Sequence, residues 1–205
     1  MSTKYDTIAS YEDFAPTYAA KFDAMPPRTA DIERAFGFID QPNPKVLEVG
    51  CGSGRDATVI IQHTSDYTGW DVSAPLIKAA QEKLPDTLFV VADLETAEIP
   101  QSTNIIFGFA SLIHSPKEQI TDFFHRAHTR LNHDGIIYLS LKYRNTYSEE
   151  TQQTEFGTRT YYFYSPSLIK DLADPGYSMI YEDTHPHHNQ LWCTVVLRKV
   201  ELTKS

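Results

Sequence analysis

The sequence is poor in cysteine, has no excess of basic residues and contains no long apolar run. Its two cysteines, Cys51 and Cys193, lie far apart and outside any Cys-x-x-Cys pair, so a reduced, cytoplasmic setting is the simplest account. A formal charge of −9 argues against broad binding to nucleic acid or to anionic membranes, because both need a positive surface. No window approaches about 18 apolar residues and no signal-peptide core is visible, so we expect no membrane span.

What is present indicates one globular domain. The chain has 205 residues, of which 41% are hydrophobic and 22% charged, and this suits a single domain over residues 1–205. Residues 1–40 carry several aromatics interrupted by Pro16 and by Pro26-Pro27, which predicts short helices broken by loops. We expect residues 1–40 to form a helical cover over a site; the alternative is that their aromatics only seal the edge of the core.

A glycine-rich turn follows the first predicted strand. Residues 45–56 read Lys-Val-Leu-Glu-Val-Gly-Cys-Gly-Ser-Gly-Arg-Asp, which predicts a short buried strand, a turn and a helix from about Asp56. Such a turn is expected to present unpaired backbone N–H groups and to let an anionic or hydroxyl-rich ligand approach the main chain. The spacing differs from the dinucleotide fingerprint G-x-G-x-x-G, and a P-loop is excluded because no Gly-Lys-Ser/Thr is present. The alternative is glycine that only packs a helix against a strand.

Strands and helices alternate through the rest of the chain. Further strands are predicted at 66–71, 88–93, 105–111, 136–141, 177–182 and 191–199, for a total of seven, and helices separate most of them. This alternation predicts a doubly wound, mainly parallel α/β sheet, and the short link between the last two strands suits an antiparallel pair.

Two of these strands end in an acid. Asp71 ends the second strand about 20 residues beyond the glycines, where a carboxylate can accept from both hydroxyls of a ribose. Asp93 ends the third strand and can accept from an exocyclic adenine amine. Each acid alone could be a helix N-cap or a solvated strand end, but their joint placement with the glycine turn indicates a nucleoside site.

The segment Glu48–Gly54, together with Asp71 and Asp93, resembles the class I S-adenosylmethionine-dependent methyltransferases, and the similarity runs over roughly residues 10–199. Residues 109–116 and 159–166 are similar to motifs of small bacterial members of that superfamily, although Thr160 and Ser165 depart from the second motif. The resemblance implies a Rossmann-like α/β/α sandwich whose seven-stranded sheet has the order 3-2-1-4-5-7-6, with the last strand antiparallel.

The resemblance also implies S-adenosylmethionine as the cofactor and assigns a role to each residue around it. The glycine turn would line its methionine part, with Glu48 supporting the turn and the ammonium group. Asp71 would bind the ribose, and Asp93 and Leu94 would bind the adenine, on which Val72 would pack. The implied cofactor-binding residues are Glu48, Gly50, Cys51, Gly52, Gly54, Asp71, Val72, Asp93, Leu94, Ala110 and Leu112.

The acceptor side is less specific in sequence. His114 follows the fourth strand and is the candidate general base or acceptor-positioning residue; the alternative is a histidine hydrogen-bonded to the backbone that only shapes the site. Candidate acceptor-binding residues are Tyr11, Tyr18, Arg159 and Tyr162. No metal is expected, because His185-Pro186-His187-His188 lies in an apparent turn without partners at zinc-ligand spacing.

The sequence therefore predicts an enzyme that transfers a methyl group from S-adenosylmethionine to a small-molecule acceptor by in-line displacement; the acceptor atom and the oligomeric state stay open. Nucleic acid is not expected as the acceptor, since Ala110-Ser111-Leu112-Ile113 stands where adenine- or cytosine-N4-methylating members carry Asn/Asp-Pro-Pro-Tyr/Phe. Two alternatives remain: a nicotinamide-dependent oxidoreductase, and a non-catalytic module that binds an adenosyl ligand.

Overall fold

The computed structural model describes residues 4–187 and 189–201. Its strands are β1 (Val46–Val49), β2 (Tyr67–Asp71), β3 (Leu88–Val91), β4 (Thr103–Phe109), β5 (Leu131–Lys142), β6 (Ser148–Thr154), β7 (Gly157–Phe163), β8 (Tyr177–His187) and β9 (Gln190–Lys199). Its α-helices are α1 (Lys4–Asp13), α2 (Ala15–Asp23), α3 (Thr29–Phe36), α4 (Ala57–Ile60), α5 (Ala74–Lys83), α6 (Lys117–Arg130) and α7 (Pro166–Ala173). None of the described helices is long and apolar enough to cross a membrane.

Seven strands form one sheet in the order β3-β2-β1-β4-β5-β9-β8. Neighbouring strands among β1 to β5 pair in parallel, whereas β9 is antiparallel to both β5 and β8. Because β8 and β9 are the sixth and seventh strands of this sheet along the chain, the predicted order 3-2-1-4-5-7-6 with an antiparallel last strand is confirmed.

Helices cover both faces of the sheet, as the burial of all four residues of β1 requires. Alternate residues of β1 and β4 enter two different cores. Leu47 and Ile106 pack with the apolar face of α6, which presents Phe123 and Phe124. Val46 and Ile105 pack instead with residues of α3, α4 and α5. This period-2 division produces the three-layer α/β/α sandwich.

Two predicted boundaries in this sheet need correction. Strand β5 begins at Leu131, where α6 ends, and not at Ile136, because Leu131 pairs with Thr103 before the register shifts. Asp134 has a φ of +60° inside this irregularity, so the residues just before the predicted strand form a bulge within β5. The regular helix after the glycine turn is also short and ends at Ile60.

A second sheet consists of the antiparallel pair β6–β7. The prediction of seven strands is therefore too low by these two strands. Strand β6 reads Ser-Glu-Glu-Thr-Gln-Gln-Thr, and a strand without apolar residues gives no periodic signal. Helix α1 packs on this hairpin: the Thr160 amide donates to Thr7 Oγ1 at 3.3 Å, and Arg159 Nε donates to Ser10 Oγ at 2.7 Å.

Candidate functional site

A cavity lies at the carboxyl ends of β1, β2, β3 and β4, where open α/β sheets bind their ligands. It encloses about 930 Å³ of empty space, including its opening to solvent. Seven of the implied cofactor-binding residues line it: Gly50, Gly52, Asp71, Val72, Asp93, Leu94 and Ala110. Three of the residues expected at the acceptor side line it as well: Tyr11, Tyr18 and His114.

The glycine turn shapes one wall of this cavity. Gly50, Gly52 and Gly54 have φ values of +74°, +55° and +78°, a region that side chains rarely adopt. A Cβ on Gly50 would also overlap the Cβ of Ser111, which follows β4. Glycine at position 50 is therefore required both by its backbone conformation and by the close approach of the neighbouring segment.

The expectation of unpaired N–H groups in this turn is wrong for the backbone amides of four of its residues: Gly50, Cys51, Gly52 and Gly54. The Gly50 and Cys51 amides both donate to the Trp70 carbonyl, at 2.7 and 2.9 Å, and the Gly54 amide donates to the Cys51 carbonyl at 3.0 Å. The Gly52 amide donates to Asp71 Oδ2 at 2.9 Å. The turn therefore lets a ligand approach the main chain closely and gives the cavity wall a fixed shape. The hydrogen-bond acceptors for a ligand come from the carboxylates at the strand ends.

Asp71 connects the glycine turn to the second strand. Its Oδ2 accepts from Gly52 and its Oδ1 accepts from the Ser73 amide, both at 2.9 Å. Burial raises the pKa of Asp71 above its ordinary value, although the backbone donors oppose this shift. These two bonds orient the carboxylate, and each of its oxygens keeps a further lone pair for a ligand hydroxyl.

Asp93 lies on the neighbouring part of the cavity wall and is paired with α1. Its Oδ2 lies 2.7 Å from Lys4 Nζ, which also lies 2.8 Å from Glu95 Oε1. Burial disfavours the ionised form of Asp93, but the hydrogen bonds from Lys4 and the Glu95 amide, together with the charges of Lys4 and Arg126, outweigh this effect, and the pKa of Asp93 is lowered. A ligand amine that reached Asp93 would therefore have to share it with Lys4 or displace Lys4.

Four of the implied cofactor-binding residues lie behind the wall and do not line the cavity. Gly54 faces Ala80 and Phe89, and Leu112 is 1% exposed in the core. The Cys51 thiol is buried, and burial raises its pKa. Glu48 is 2% exposed and accepts from the Tyr67 hydroxyl at 2.5 Å.

Glu48 is a buried acid under the glycine turn. Burial, followed by the negative charge of Asp56, raises the pKa of Glu48 to about 8. Asp56 itself is held ionised by Arg55 and Arg28, whose guanidinium groups lie 2.7 and 2.9 Å from its Oδ2. Glu48 is therefore largely protonated at neutral pH, and it acts on the turn from behind.

His114 is held on both ring nitrogens. Nδ1 lies 2.6 Å from the Thr160 carbonyl oxygen and Nε2 lies 2.9 Å from the Tyr11 hydroxyl. Since a carbonyl can only accept, Nδ1 carries the proton. Burial lowers the pKa of His114 to about 4, and the positive charges of Arg159 and Lys142 act in the same direction. The ring is therefore neutral at pH 7, and Nε2 accepts a hydrogen bond from Tyr11.

The other residues expected at the acceptor side divide into two groups. The Tyr11 and Tyr18 rings meet edge to face at 5.1 Å and line the cavity. Arg159 lies behind them, 4% exposed, with its guanidinium carbon 3.9 Å from the centroid of the Tyr11 ring. Tyr162 does not line the cavity; its ring lies nearly parallel to Tyr147, with centroids 6.2 Å apart.

Sequence reasoning missed residues that only the fold brings to the cavity. Helix α1 presents Lys4, Thr7 and Ile8 to it beside the predicted Tyr11, a spacing of i, i+3, i+4 and i+7 that defines one helical face. Ser111 also lines the cavity, and its buried Oγ has no hydrogen-bond partner. The helical spacing was readable in the sequence, whereas the contact between Ser111 and Gly50 was not.

The described residues contain no group of three or more His, Cys, Asp or Glu side chains that could hold a metal ion. The expectation that the histidine-rich segment lies in a turn is wrong for His185 and His187, which belong to β8. His188 lies outside the described residues.

Comparison with known proteins gives one domain match and partial matches to curated relatives. A family model described as a methyltransferase domain matches residues 46–135. A trans-aconitate 2-methyltransferase of Escherichia coli O1:K1 is 36% identical over 69 residues, which are 33% of this chain and 27% of that protein. The protein of the same name from Rhizobium etli is 27% identical over 99 residues, 47% of this chain and 38% of that protein. The alignments thus span only about a quarter to two fifths of these relatives.

Solved structures with the same fold cover nearly the whole chain. The 1,6-didemethyltoxoflavin-N1-methyltransferase of Burkholderia thailandensis, solved with 1,6-didemethyltoxoflavin and S-adenosylhomocysteine, superposes with a TM-score of 0.70, 16% identity and coverage of 98% of this chain and 92% of that chain. An S-adenosylmethionine-dependent methyltransferase of Clostridium acetobutylicum gives a TM-score of 0.72 at 12% identity, with coverage of 92% and 98%. At these identities the likeness concerns the fold.

Proposed function

We propose that the chain is a class I S-adenosylmethionine-dependent methyltransferase that transfers the methyl group of S-adenosylmethionine to a small-molecule acceptor; the methyltransferase-domain match over residues 46–135 and the shared fold support this. The observation that carries this proposal is the cavity at the carboxyl ends of β1 to β4, where the glycine turn, Asp71 and Asp93 meet. Each of the three stands at the end of a successive strand of the sheet, which is the arrangement that a nucleoside with an attached cationic chain requires.

The residues on the cavity wall fit this cofactor. Gly50 and Gly52 allow a ligand to approach the main chain closely, and Ser111 offers a buried hydroxyl that no protein group satisfies. Buried polar atoms without partners are rare and costly, so Ser111 Oγ indicates a ligand contact at this end of the cavity. Asp71, fixed by two amides, would accept from the ribose hydroxyls. Asp93 would accept from the adenine amine once Lys4 has moved or shares it.

S-adenosylmethionine, when bound, supplies a methyl group that is already activated on a sulfonium. The chain then has to bind and align the acceptor, and alignment alone can contribute about 7–11 kcal/mol in favourable cases. Tyr11 and His114 suit this positioning task, because their mutual hydrogen bond and the bond from His114 to Thr160 fix both side chains.

Residues 1–40 would act as the cover over this site, within a single domain. Lys4, Thr7, Ile8 and Tyr11 turn one face of α1 to the cavity, and α1 is tied to β7 through Thr7 and Ser10. Closing this wall would exclude water from the acceptor and from the methyl group.

The names of the relatives favour a small-molecule acceptor. The curated relatives are named for trans-aconitate and the Burkholderia structure for a toxoflavin precursor. None of these matches supports a nicotinamide-dependent oxidoreductase. A non-catalytic binding module is the remaining alternative, and such a module would bind the cofactor without consuming it.

The test combines binding with turnover. Calorimetry should give tight binding of S-adenosylmethionine and S-adenosylhomocysteine and none of NAD, and acceptor panels of carboxylates, amines, thiols and phenols should yield S-adenosylhomocysteine in at least one case. Binding of NAD alone would overturn the proposal. Cofactor binding without consumption across all four panels would favour the binding module.

A further inference from the structure

Two cations, the buried Arg159 and the half-buried Lys142, stand behind the acceptor end of the cavity. Arg159 is 4% exposed, and its guanidinium carbon lies 3.9 Å from the Tyr11 ring centroid and 5.3 Å from that of Tyr18. Its Nε donates to Ser10 Oγ at 2.7 Å, but its buried Nη2 has no hydrogen-bond partner. Since both rings line the cavity, a guanidinium with one unsatisfied nitrogen lies directly behind its wall.

Lys142 is the second cation. It ends β5, and its Nζ lies 3.5 Å from the centroid of the Tyr161 ring, which in turn lies 4.9 Å from the His114 ring. Burial lowers the pKa of Lys142, and the nearby Arg144 acts in the same direction, against an opposing effect of Glu150. Across residues 4–187 and 189–201, no Asp or Glu forms an ion pair with Lys142 or with Arg159.

At the opposite end of the cavity, the cation is neutralised by ion pairs. Its cation Lys4 is paired with two acids of the cavity wall, Asp93 and Glu95. Within the described residues Arg159 forms no ion pair with an acid and Lys142 has only Glu150 as an opposing charge. The positive charge at the acceptor end therefore creates a potential that attracts an anion, and the low dielectric of the wall strengthens this potential.

Among the side chains that the structure describes at the acceptor end, none is arranged to take a proton from an acceptor. His114 is the only imidazole on this wall, and among the described side chains it donates through Nδ1 to Thr160 and accepts through Nε2 from Tyr11. A proton on Nε2 would break the bond from Tyr11 and would be repelled by the positive charges of Arg159 and Lys142. An acceptor that must lose a proton is therefore poorly served by this site.

We propose that the acceptor is a carboxylate, which Arg159 and Lys142 attract to the wall formed by Tyr11, Tyr18 and His114. This inference rests on the proposed methyl transfer and specifies its acceptor. A lone pair of the carboxylate oxygen forms the new C–O bond, the methyl–sulfur bond breaks, and its electron pair stays on sulfur. The products are a methyl ester and S-adenosylhomocysteine, and no proton moves. Thiols and phenols, with ordinary pKa values of about 8.5 and 10, are largely protonated at neutral pH, whereas carboxylates are ionised.

Binding is the first test. Ligand-observed NMR on protein loaded with S-adenosylhomocysteine would screen aliphatic and aromatic mono-, di- and tricarboxylates, each against its carboxamide. We expect carboxylates to bind and their amides not to bind. Arg159→Met should weaken the carboxylate at least about tenfold, and Arg159→Lys should recover part of that loss. Binding of no carboxylate, or equal binding of the amides, would overturn the inference.

A matched control removes a cation near the same aromatic cluster. Lys21 Nζ lies 5.2 Å from the Phe156 ring centroid and Arg159 lies 5.3 Å from it, but Lys21 is exposed and paired with Glu155. Lys21→Met should leave carboxylate affinity unchanged. Both methionine variants should bind S-adenosylhomocysteine as the wild type does, which separates a local loss of charge from misfolding.

Turnover provides the second test. The product should be labile to alkaline hydroxylamine, as methyl esters are, and the rate should stay flat between pH 6 and pH 8. Turnover of amines, thiols or phenols alone, with a rate that rises with pH, would overturn the carboxylate while leaving methyl transfer intact. A protein that binds neither S-adenosylmethionine nor S-adenosylhomocysteine would overturn the proposed function and the inference together.

Discussion

The two ends of the cavity are built from different parts of the chain and carry opposite charge. At the end that would hold the adenosyl group, Asp71 and Asp93 follow consecutive strands and the glycine turn follows a third, all within residues 46–93. At the acceptor end, Tyr11 meets His114 and Ser10 meets Arg159 across separations of 103 and 149 residues.

This difference separates two physical tasks. The end of the cavity with Asp71 and Asp93, called the acidic end from here on, is held by hydrogen bonds from the Gly52 and Ser73 backbone amides to Asp71. The acceptor end, with Arg159 and Lys142 behind it, is called the cationic end from here on. It depends on the contacts between α1 and β7. Changes at the acidic end should therefore affect cofactor binding and stability, while changes at the cationic end should affect the acceptor and leave the cofactor bound.

The largest effect is expected from Gly50→Ala. Its φ of +74° would cost roughly 1–2 kcal/mol with a side chain, and the overlap with Ser111 would add about 1–3 kcal/mol. We therefore expect the free energy of unfolding to fall by about 3 kcal/mol, as measured in urea, and S-adenosylmethionine binding to be lost in calorimetry. Gly52→Ala is the control, because a Cβ there meets nothing within 4 Å. If both variants lost the same stability, the contact with Ser111 would carry no cost.

Asp71→Asn should come second. An amide keeps only one acceptor oxygen and turns its NH₂ group toward the Gly52 or Ser73 amide, so the orientation that serves the ribose is lost. We expect S-adenosylmethionine affinity to fall about 100-fold, or about 2.7 kcal/mol. Asp66→Asn removes an acid immediately before the same strand, 3.8 Å from Lys45, and should change nothing. Unchanged affinity in Asp71→Asn would contradict the assignment of this end.

The pH dependence of stability should distinguish the two ends in opposite directions. Burial raises the pKa of Glu48 to about 8, so its stabilising effect is complete below about pH 4.5 and is lost as the pH rises to 8. Burial lowers the pKa of His114 to about 4, so its effect is complete above about pH 6.5 and is lost as the pH falls to 4. Each group contributes at most about 1.4 kcal/mol per pH unit inside its window.

Two variants separate these windows. Glu48→Gln should flatten the loss of unfolding free energy between pH 4.5 and pH 8 and leave the acid side unchanged, whereas His114→Gln should flatten only the loss between pH 6.5 and pH 4. Urea unfolding at half-unit pH steps measures both slopes. If either variant kept the wild-type pH dependence of the unfolding free energy within its pH range, that dependence would come from other residues.

The acidic end could largely be located from sequence, because strand order alone brings Asp71, Asp93 and the glycines to one edge of the sheet. The roles of its amides could not. The N–H groups expected to be free are used by Trp70 and Asp71, since the turn folds back on the neighbouring strand. A local motif therefore predicts where a backbone turns but not which acceptors reach it.

Only some of the residues at the cationic end could be predicted from the sequence. Tyr11, Tyr18 and His114 were identified as candidates and lie on the cavity wall, but Tyr162 points to the other face of its strand and stacks on Tyr147. Strand β6 has no apolar alternation, so the hairpin that places Arg159 behind Tyr11 left no pattern to detect. Contacts over more than 100 residues depend on tertiary packing, which periodicity does not report.

The smallest effect is expected from Lys4→Met, where the two ends meet. The side chains of Lys4, Asp93 and Glu95 are about one third exposed, and ion pairs of this kind contribute up to about 1 kcal/mol. Freeing Asp93 should make it available to the adenine amine and tighten S-adenosylmethionine binding about threefold at low salt, with a smaller gain at high salt. Lys78→Met, whose Nζ lies 3.9 Å from Glu82 on an exposed face, should not change affinity. Weaker binding in Lys4→Met would mean that α1 holds the cofactor itself, and the division between a cofactor end and an acceptor end would then have to be redrawn to include α1 in both.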